Sequence, residues 1–278
     1  MKLKITFVFL FFVAVFLSCK KDEPLVEGNI NGNGNVKNSV LLLSKIQTDS
    51  LTSFEYLYNS ANLISVEKSK FYFTTNVYNA KNQLVSTDYY SNYDILSNDL
   101  QVFQTAMNQN TWITPVTPNK GGTMQYEYNA AGQLSKATYT PASGNIQYSE
   151  FSYGADGRIS KQMLFWEDKE TGYIDYTYDD KGNLTKEILY NLTSTGDPEL
   201  STTTQYEFDN QQNPYKSVSR LMTPGIYTNL NNIIKETYTI HLQAGQGSDN
   251  VQITQTTYEY NSKGYPVSKN GNINYIYG

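Results

Sequence analysis

The sequence predicts an all-β protein: an antiparallel meander of repeated β-hairpins that curls into a large open or closed barrel-like sheet, with one short helix. Three observations predict this fold. The 278 residues include 25 tyrosines and an aromatic share of 14%, which suits pleated, half-buried surfaces. The 18 glycines and frequent asparagines suit tight turns. Finally, one tyrosine-containing motif recurs along most of the chain.

The recurring motif is an aromatic pair of the form YxY followed by a turn, an aliphatic residue and a lysine. Three strong copies align without gaps at 126–136, 151–161 and 176–186, and their second tyrosines are 25 residues apart. Weaker copies begin at Tyr56, Tyr78, Tyr206 and Tyr258. Asn or Asp favours the start of a type I turn, and a glycine three residues later supplies the positive φ of a bulged hairpin. Each copy is therefore predicted to be a hairpin tip, with left-handed backbone at Gly132, Gly157 and Gly182.

Simple pairing outward from the turn predicts which side chains share a face. In the first strong copy it puts Tyr128 opposite Leu134. Two residues farther from the turn, it puts Tyr126 opposite Lys136. The same rule assigns to one apolar face Tyr153, Ile159, Met163 and Phe165 of the second copy, and Tyr176, Tyr178, Leu184, Ile188 and Tyr190 of the third. It also puts Lys136, Lys161 and Lys186 on that face beside tyrosine rings, where their stems either cover apolar surface or make cation–π contacts.

The first 18 residues have the pattern of an export signal, with two lysines and an apolar run over 5–17. Because Cys19 follows this run directly, the segment resembles a bacterial lipoprotein signal, which implies acyl chains on Cys19 at the mature N-terminus. Residues 19–38 are rich in Gly and Asn and have no apolar period, so a flexible tether is expected there. The β domain is expected over 39–278.

Charge and composition exclude several classes of function. A formal net charge of −5 has the wrong sign for a surface that binds nucleic acid. With one Cys and one His in the chain, no metal site and no cofactor are expected, and His241 is interpreted as structural. The segment 179–183 (DDKGN) lacks the ligand spacing of a calcium loop. Over 93–109, apolar residues at helical spacing predict the one amphipathic helix: Leu96, Leu100, Phe103 and Met107.

The repeat units are similar to the YD repeats of Rhs-type proteins. Together with the lipoprotein start, the segments 206–215 (YEFDNQQNPY) and 231–235 (NNIIK) resemble a group of Gram-negative cell-surface lipoproteins of unknown function whose domain is described as porin-like. The resemblance covers roughly 39–278. It implies a curled meander sheet and no catalytic residue, and the lipoprotein start implies attachment to the outer membrane through the N-terminal lipid. The three repeated lysines interrupt any lipid-facing band, which favours a water-soluble sheet.

Two classes of function follow from these features. The favoured one is a non-catalytic, surface-anchored module that binds a glycan, a peptide or a partner protein, or that serves as an envelope scaffold without a ligand. The alternative is a carboxylate-based polysaccharide hydrolase. The candidate ligand-binding residues are Trp112, Trp166, Asp175 and Glu187. Extending the register puts Asp175 opposite Glu187, and this like-charge pair either holds a cation or a sugar hydroxyl, or is simply solvated.

Overall fold

The described part of the chain forms 17 antiparallel β-strands in one meander sheet, as the composition and the repeats predict. The computed structural model describes residues 41–69, 72–91, 119–218, 223–243, 245 and 247–278. The strands are β1 (Leu43–Thr48), β2 (Leu51–Tyr58), β3 (Ile64–Ser69), β4 (Tyr72–Tyr78), β5 (Leu84–Ser91), β6 (Asn119–Tyr128), β7 (Leu134–Pro141), β8 (Gln147–Tyr153), β9 (Ile159–Trp166), β10 (Lys169–Tyr178), β11 (Leu184–Leu192), β12 (Pro198–Phe208), β13 (Ile233–Ile240), β14 (Asn250–Gln255), β15 (Tyr258–Tyr260), β16 (Pro266–Lys269) and β17 (Ile273–Tyr277). A 3₁₀ helix, Pro214–Ser217, lies between β12 and β13. The helix predicted over 93–109 lies outside the described residues.

The hairpin tips are built by the turn chemistry that the repeat predicts. In the third strong copy the Asp179 carboxylate accepts the backbone N–H groups of Gly182 and Asn183, each at 2.8 Å. The prediction of left-handed glycines is confirmed, with φ of 80°, 75° and 100° at Gly132, Gly157 and Gly182. In two weaker copies an asparagine takes the same left-handed position, because its short polar side chain tolerates that conformation; these residues are Asn62 and Asn82.

A β-bulge next to each tip changes the register that simple pairing predicts. In the first strong copy Tyr128 pairs with Leu134 as expected, but Glu127 pairs with Lys136. Tyr126 consequently pairs with Ala137 and not with Lys136, so that prediction is wrong. The corresponding register shift occurs at Tyr58, Tyr78, Tyr153, Tyr178, Phe208 and Tyr260. One extra residue per returning strand moves every later side chain to the opposite face.

The bulge therefore corrects the predicted apolar face. We call the face that carries the buried residues Leu134, Ile159 and Leu184 the inner face, and its opposite the outer face. Tyr153 shares the inner face with Ile159, and Tyr176 and Tyr178 share it with Leu184, as predicted. The residues beyond the bulge lie on the outer face instead: Lys136, Lys161, Met163, Phe165, Lys186, Ile188 and Tyr190.

The sheet is curled and is not closed. β1 pairs with both β2 and β17, so the first and last strands are neighbours. Along the stretch 250–260, β14 pairs with β13 and β15 pairs with β16, but no ladder joins β14 to β15 among the described strands.

The segment between β12 and β13 spans the hairpin-tip end of the curled sheet. Its Ser217 hydroxyl accepts the backbone N–H of Leu43 in β1 at 3.1 Å. Its Asn229 side-chain carbonyl accepts the backbone N–H of Leu184 in β11 at 2.8 Å. Because β1 and β11 are far apart along the sheet, one short segment reaches both only where the sheet curls around it. Val218 of this segment packs into the cluster of Leu43, Ile46, Tyr56, Ile64 and Tyr275. Within the described part of the chain, no helix has the length and apolarity that a membrane crossing requires.

Candidate functional site

In the seven strand pairs of the repeat, the bulge brings one position to the inner face, close to the aliphatic residue or proline that starts the returning strand. This position is the third residue after that residue, and it lies opposite the first aromatic residue of the repeat or its equivalent. We call the set of these positions the inner row. Its members are Glu67, Thr87, Ala137, Gln162, Glu187, Glu236 and Lys269. Their partners across the hairpins are Tyr56, Asn76, Tyr126, Phe151, Tyr176, Tyr206 and Tyr258.

The inner row carries three carboxyl groups and one ammonium group, all of them partly removed from water. Burial raises the pKa of Glu67, and it also raises the pKa of Glu187. For Glu236, burial raises the pKa first and the neighbouring Glu187 charge adds to that effect. Burial lowers the pKa of the Lys269 ammonium, and the Glu236 charge opposes this shift. Each of these charges is therefore less favourable in the folded protein than in water.

Tyrosine hydroxyl groups supply most of the hydrogen bonds along the inner row. Tyr206 donates to a Glu187 carboxylate oxygen at 2.8 Å, and Tyr176 donates to the Gln162 side-chain carbonyl at 2.7 Å. Tyr72 donates to Glu67 over a longer distance of 3.3 Å. These bonds leave further oxygen lone pairs on each acceptor, because a carboxylate accepts about four hydrogen bonds and an amide oxygen two.

Tyr227, from the segment between β12 and β13, lies close to one end of the inner row. It keeps 43% of its surface accessible. Burial of its hydroxyl end, together with the Glu67 charge, raises its pKa. Tyr227 is therefore partly exposed, while its hydroxyl end is buried near the Glu67 end of the inner row.

The outer face of the same hairpins has a different organisation, with stacked rings and paired charges. Tyr148 stacks on Phe165 with ring centroids 4.4 Å apart and an interplanar angle of 9°. The Lys136 ammonium lies 3.7 Å from the Tyr148 ring centroid, so a predicted cation–π contact forms, although with an outer-face tyrosine. Tyr173, Tyr190 and Lys161 repeat this arrangement on the next strands. In each stack one ring, Tyr148 or Tyr173, contacts both a neighbouring ring and a lysine, so that ring does not offer a free face to a sugar.

The predicted carboxylate pair does not form. Tyr176, not Asp175, is the residue opposite Glu187, so Asp175 lies on the outer face. There its carboxylate pairs with the Lys161 ammonium at 2.8 Å, while Glu187 lies in the inner row. The physical reason is the bulge at the tip, which adds one residue between Leu184 and Glu187 that simple pairing does not count.

The remaining predicted site residues are not brought together. Trp166 ends β9 and is 46% exposed, and its ligand-binding role stays a prediction. Cys19 and Trp112 lie outside the described residues. In the part of the chain that the structure describes, no three His, Cys, Asp or Glu side chains are grouped closely enough to hold a metal ion.

Sequence reasoning missed the other polar members of the inner row, which are Glu67, Thr87, Gln162, Glu236 and Lys269. The signal was nonetheless present, because all of them occupy the same repeat position. Recognising the bulge from the left-handed glycine would have assigned that position to the inner face.

Comparisons with known proteins identify no family. No protein-family model matches the chain, and no curated protein matches it. Among solved structures, a porin-like protein from Bacteroides uniformis is similar at 14% identity and a TM-score of 0.39, over 85% of this chain and 96% of that one. A protein of unknown function from Bacteroides fragilis is similar at 11% identity and a TM-score of 0.25, over 67% of this chain and 92% of that one.

A third similar structure is the TcdB2–TccC3 complex, at 10% identity and a TM-score of 0.23. The match covers 82% of this chain but only 12% of that one. A porin-like protein is thus among the structures that the chain resembles. That this chain is a lipoprotein stays a prediction. Scores this low carry no inference about function.

Proposed function

We propose that this chain is a lipid-anchored cell-surface module that binds a neutral glycan along its inner row. The observation that carries this proposal is the contrast between constant and variable positions of the repeat. The six tight hairpin tips share a turn residue, a left-handed residue and a buried residue that starts the returning strand. The inner row instead varies among Glu, Gln, Thr, Ala and Lys. A position that the hairpin leaves free to vary is the one that a repeat scaffold can use for recognition.

The cost of the inner-row charges supports a binding role. The raised pKa of Glu67, Glu187 and Glu236 means that each carboxylate is less stable in the folded chain than in the unfolded chain. An uncharged residue with a strand preference at these positions would make the folded sheet more stable. Side chains that oppose stability are typical of functional sites, where activity and stability conflict.

The charge of the inner row favours a neutral ligand. Three carboxyl groups against one ammonium group repel phosphate, sulfate and uronate groups. Sugar hydroxyl groups can donate to the carboxylates and to the Gln162 carbonyl, and they can accept from tyrosine hydroxyl groups. Tyrosine rings supply apolar surface for the C–H faces of a pyranose.

Binding is tested with a glycan array probed by the full-length chain, followed by calorimetric titration of each neutral glycan that binds. We expect Glu187→Gln and Gln162→Leu to weaken binding by about tenfold or more, because each removes hydrogen bonds to a buried ligand. Asp175→Asn is the matched control, since its carboxylate lies on the outer face of β10. Failure of every neutral glycan to bind, or an equal loss in the control, contradicts the proposal.

The lipid anchor is tested separately. Mass spectrometry of the N-terminal peptide of the exported protein should show acyl chains on Cys19, and the protein should fractionate with the outer membrane. Cys19→Ala should release it. An unmodified Cys19, or an unchanged membrane fraction for the variant, contradicts the anchor and leaves the binding proposal standing.

A hydrolase is the second candidate, favoured by the spacing of Glu187 and Glu236. Their strands are separated by β12, where Glu187 pairs with Thr204 and Glu236 pairs with Tyr206, so their backbones lie about 11–12 Å apart. Both side chains belong to the inner row, and the Glu187 charge contributes to the raised pKa of Glu236. Inverting glycosidases hold two carboxyl groups about 6.5–9.5 Å apart. Incubation of the wild type with each bound oligosaccharide discriminates the two functions: release of a reducing end that Glu236→Gln abolishes supports the hydrolase, and an intact ligand supports the binding module.

A further inference from the structure

A small polar cavity lies far from the hairpin tips, at the opposite ends of β11, β12 and β13. Its volume is about 260 Å³, and it is lined by Asn191, Glu199, Leu200, Ser201, His241 and Gln243. We call it the rim cavity. It shares no residue with the inner row. None of the ligand-binding residues predicted from the sequence lines it.

A bulge in β12 creates the rim cavity. Leu189 of β11 pairs with Thr202, whereas the next residue, Tyr190, pairs with Leu200. Ser201 is therefore left without a partner on β11, and its backbone carbonyl accepts the N–H of His241 at 2.9 Å. Bulges re-aim side chains in this way and occur often beside functional sites.

Two hydrogen bonds hold the His241 ring that forms one wall. Its Nδ1 lies 2.7 Å from an Asp249 carboxylate oxygen, and its Nε2 lies 2.8 Å from the Thr203 hydroxyl. The other Asp249 oxygen accepts the backbone N–H of Leu242, which lowers the pKa of Asp249, with a smaller effect from His241. With both nitrogens engaged, the ring offers a ligand its apolar carbon surface in a fixed orientation.

The other wall residues offer hydrogen-bonding groups. No hydrogen bond to a described residue engages the side chain of Asn191 or Ser201. Gln243 donates to one carboxylate oxygen of Glu199, which leaves the other oxygen as an acceptor. Leu200, 40% exposed, adds a second apolar surface beside the His241 ring. The cavity thus combines a carboxylate, an amide and a hydroxyl with two apolar surfaces.

We propose that the rim cavity binds a single sugar unit or a polyol of similar size. The alternation of hydroxyl groups and C–H faces on such a molecule fits this lining, with hydroxyl groups donating to Glu199 and accepting from Asn191. The volume is just below the range of about 300–1,000 Å³ that holds drug-sized ligands, so one ring fills it. This site goes beyond the proposed function, because its residues and its end of the sheet are different.

The test uses saturation-transfer NMR on the full-length chain with the methyl glycosides of glucose, galactose, mannose and N-acetylglucosamine at millimolar concentration. At least one glycoside should show transfer. Asn191→Leu and Glu199→Gln should each reduce its affinity by about tenfold or more. Asp249→Asn should also weaken binding, since it loosens the His241 wall without touching the ligand.

Two controls keep the result interpretable. Glu207→Gln, on the same strand but paired with Lys235 at 2.6 Å, should bind the glycoside as the wild type does. In the Glu187→Gln background, Asn191→Leu should still reduce the transfer, which separates the rim cavity from the inner row. Thermal melts of all variants identify any that fail to fold. Absence of transfer from all four glycosides, or an equal loss in Glu207→Gln, overturns the proposal.

Discussion

The two faces of the hairpins over β8–β11 handle charged and aromatic side chains in opposite ways. On the outer face the Lys161 ammonium lies over the Tyr173 ring at 3.6 Å and beside the Asp175 carboxylate at 2.8 Å. On the inner face Glu187 has a tyrosine hydroxyl at 2.8 Å but no described lysine or arginine within ion-pair distance.

This difference separates side chains that hold the sheet together from those that do not. The stacked rings, lysines and acids of the outer face stabilise the sheet through stacking, cation–π attraction and ion pairing. The inner-row carboxyl groups lose hydration and recover only part of it through hydrogen bonds. The outer face is therefore explained by stability alone, whereas the inner-row carboxyl groups oppose stability, and the proposed binding role would account for their presence.

The largest effect is expected for the buried framework beside the inner row. Leu184 is completely buried, so Leu184→Ala should destabilise the fold by about 2–5 kcal/mol through lost burial and the cavity left behind. Ile188→Ala, on the half-buried outer face of the same strand, should cost clearly less. Urea unfolding of both variants measures the difference, and equal losses would contradict the assignment of faces.

The next largest effect is expected at the turn that joins β10 to β11. Gly182 has φ of 100°, and a Cβ there would meet Arg158 Nη2 at 2.9 Å. Gly182→Val should therefore cost about 1–3 kcal/mol through backbone strain and displacement of Arg158. Gly157→Val faces positive φ but has nothing within 4 Å of its Cβ, so its loss should be smaller. A larger loss at Gly157 would contradict the steric argument.

A moderate effect is expected when one outer ladder is broken. Tyr173→Leu keeps apolar area but removes the stack on Tyr190 and the ring beneath Lys161. The loss should be about 0.5–1.5 kcal/mol, the usual value of an aromatic pair. A double-mutant cycle with Lys161→Met checks the coupling, and additive losses would show that the ammonium gains nothing from the ring.

The smallest effect should have the opposite sign. Because the folded pKa of Glu187 is raised above its ordinary value of 4.5, the wild type loses stability as pH rises through that pKa. Glu187→Gln removes this loss, so it should stabilise the protein at pH 7 by about 1 kcal/mol, or roughly 2–4 °C in Tm. Well below 4.5 the difference should vanish. Asp175→Asn, which breaks an outer ion pair, should not stabilise at any pH, and the same stabilisation in both variants would erase the contrast between the faces.

The turn chemistry was predictable from the sequence because it is local. Asp179 and Gly182 define their tip through hydrogen bonds and φ values that depend only on neighbouring residues. The antiparallel meander follows, since each tip joins two adjacent strands. The turn geometry and the antiparallel meander were both predicted, and the structure confirms them.

The faces beyond each tip were not predictable by counting from the turn. One unpaired residue, Ser135 in the first strong copy, moved Lys136 from the inner to the outer face. Glu187 and Asp175 were separated by the same shift. The rim cavity depends on a second bulge, at Ser201, and on residues brought from β11 and from beyond β13; no local pattern marks either.

The pairing of β1 with β17 has a consequence for the order of events during synthesis. The Ser44 hydroxyl donates to the backbone carbonyl of Ile276, 232 residues later. One edge of β1 therefore has no native partner until the last strand has been synthesised. At about 5–20 residues per second this wait lasts on the order of 10–50 s. Throughout it, the open edge of β1 meets a series of emerging hairpins that resemble one another, any of which offers strand pairing. To fold correctly, β1 must avoid stable pairing with the strands that are synthesised before β17.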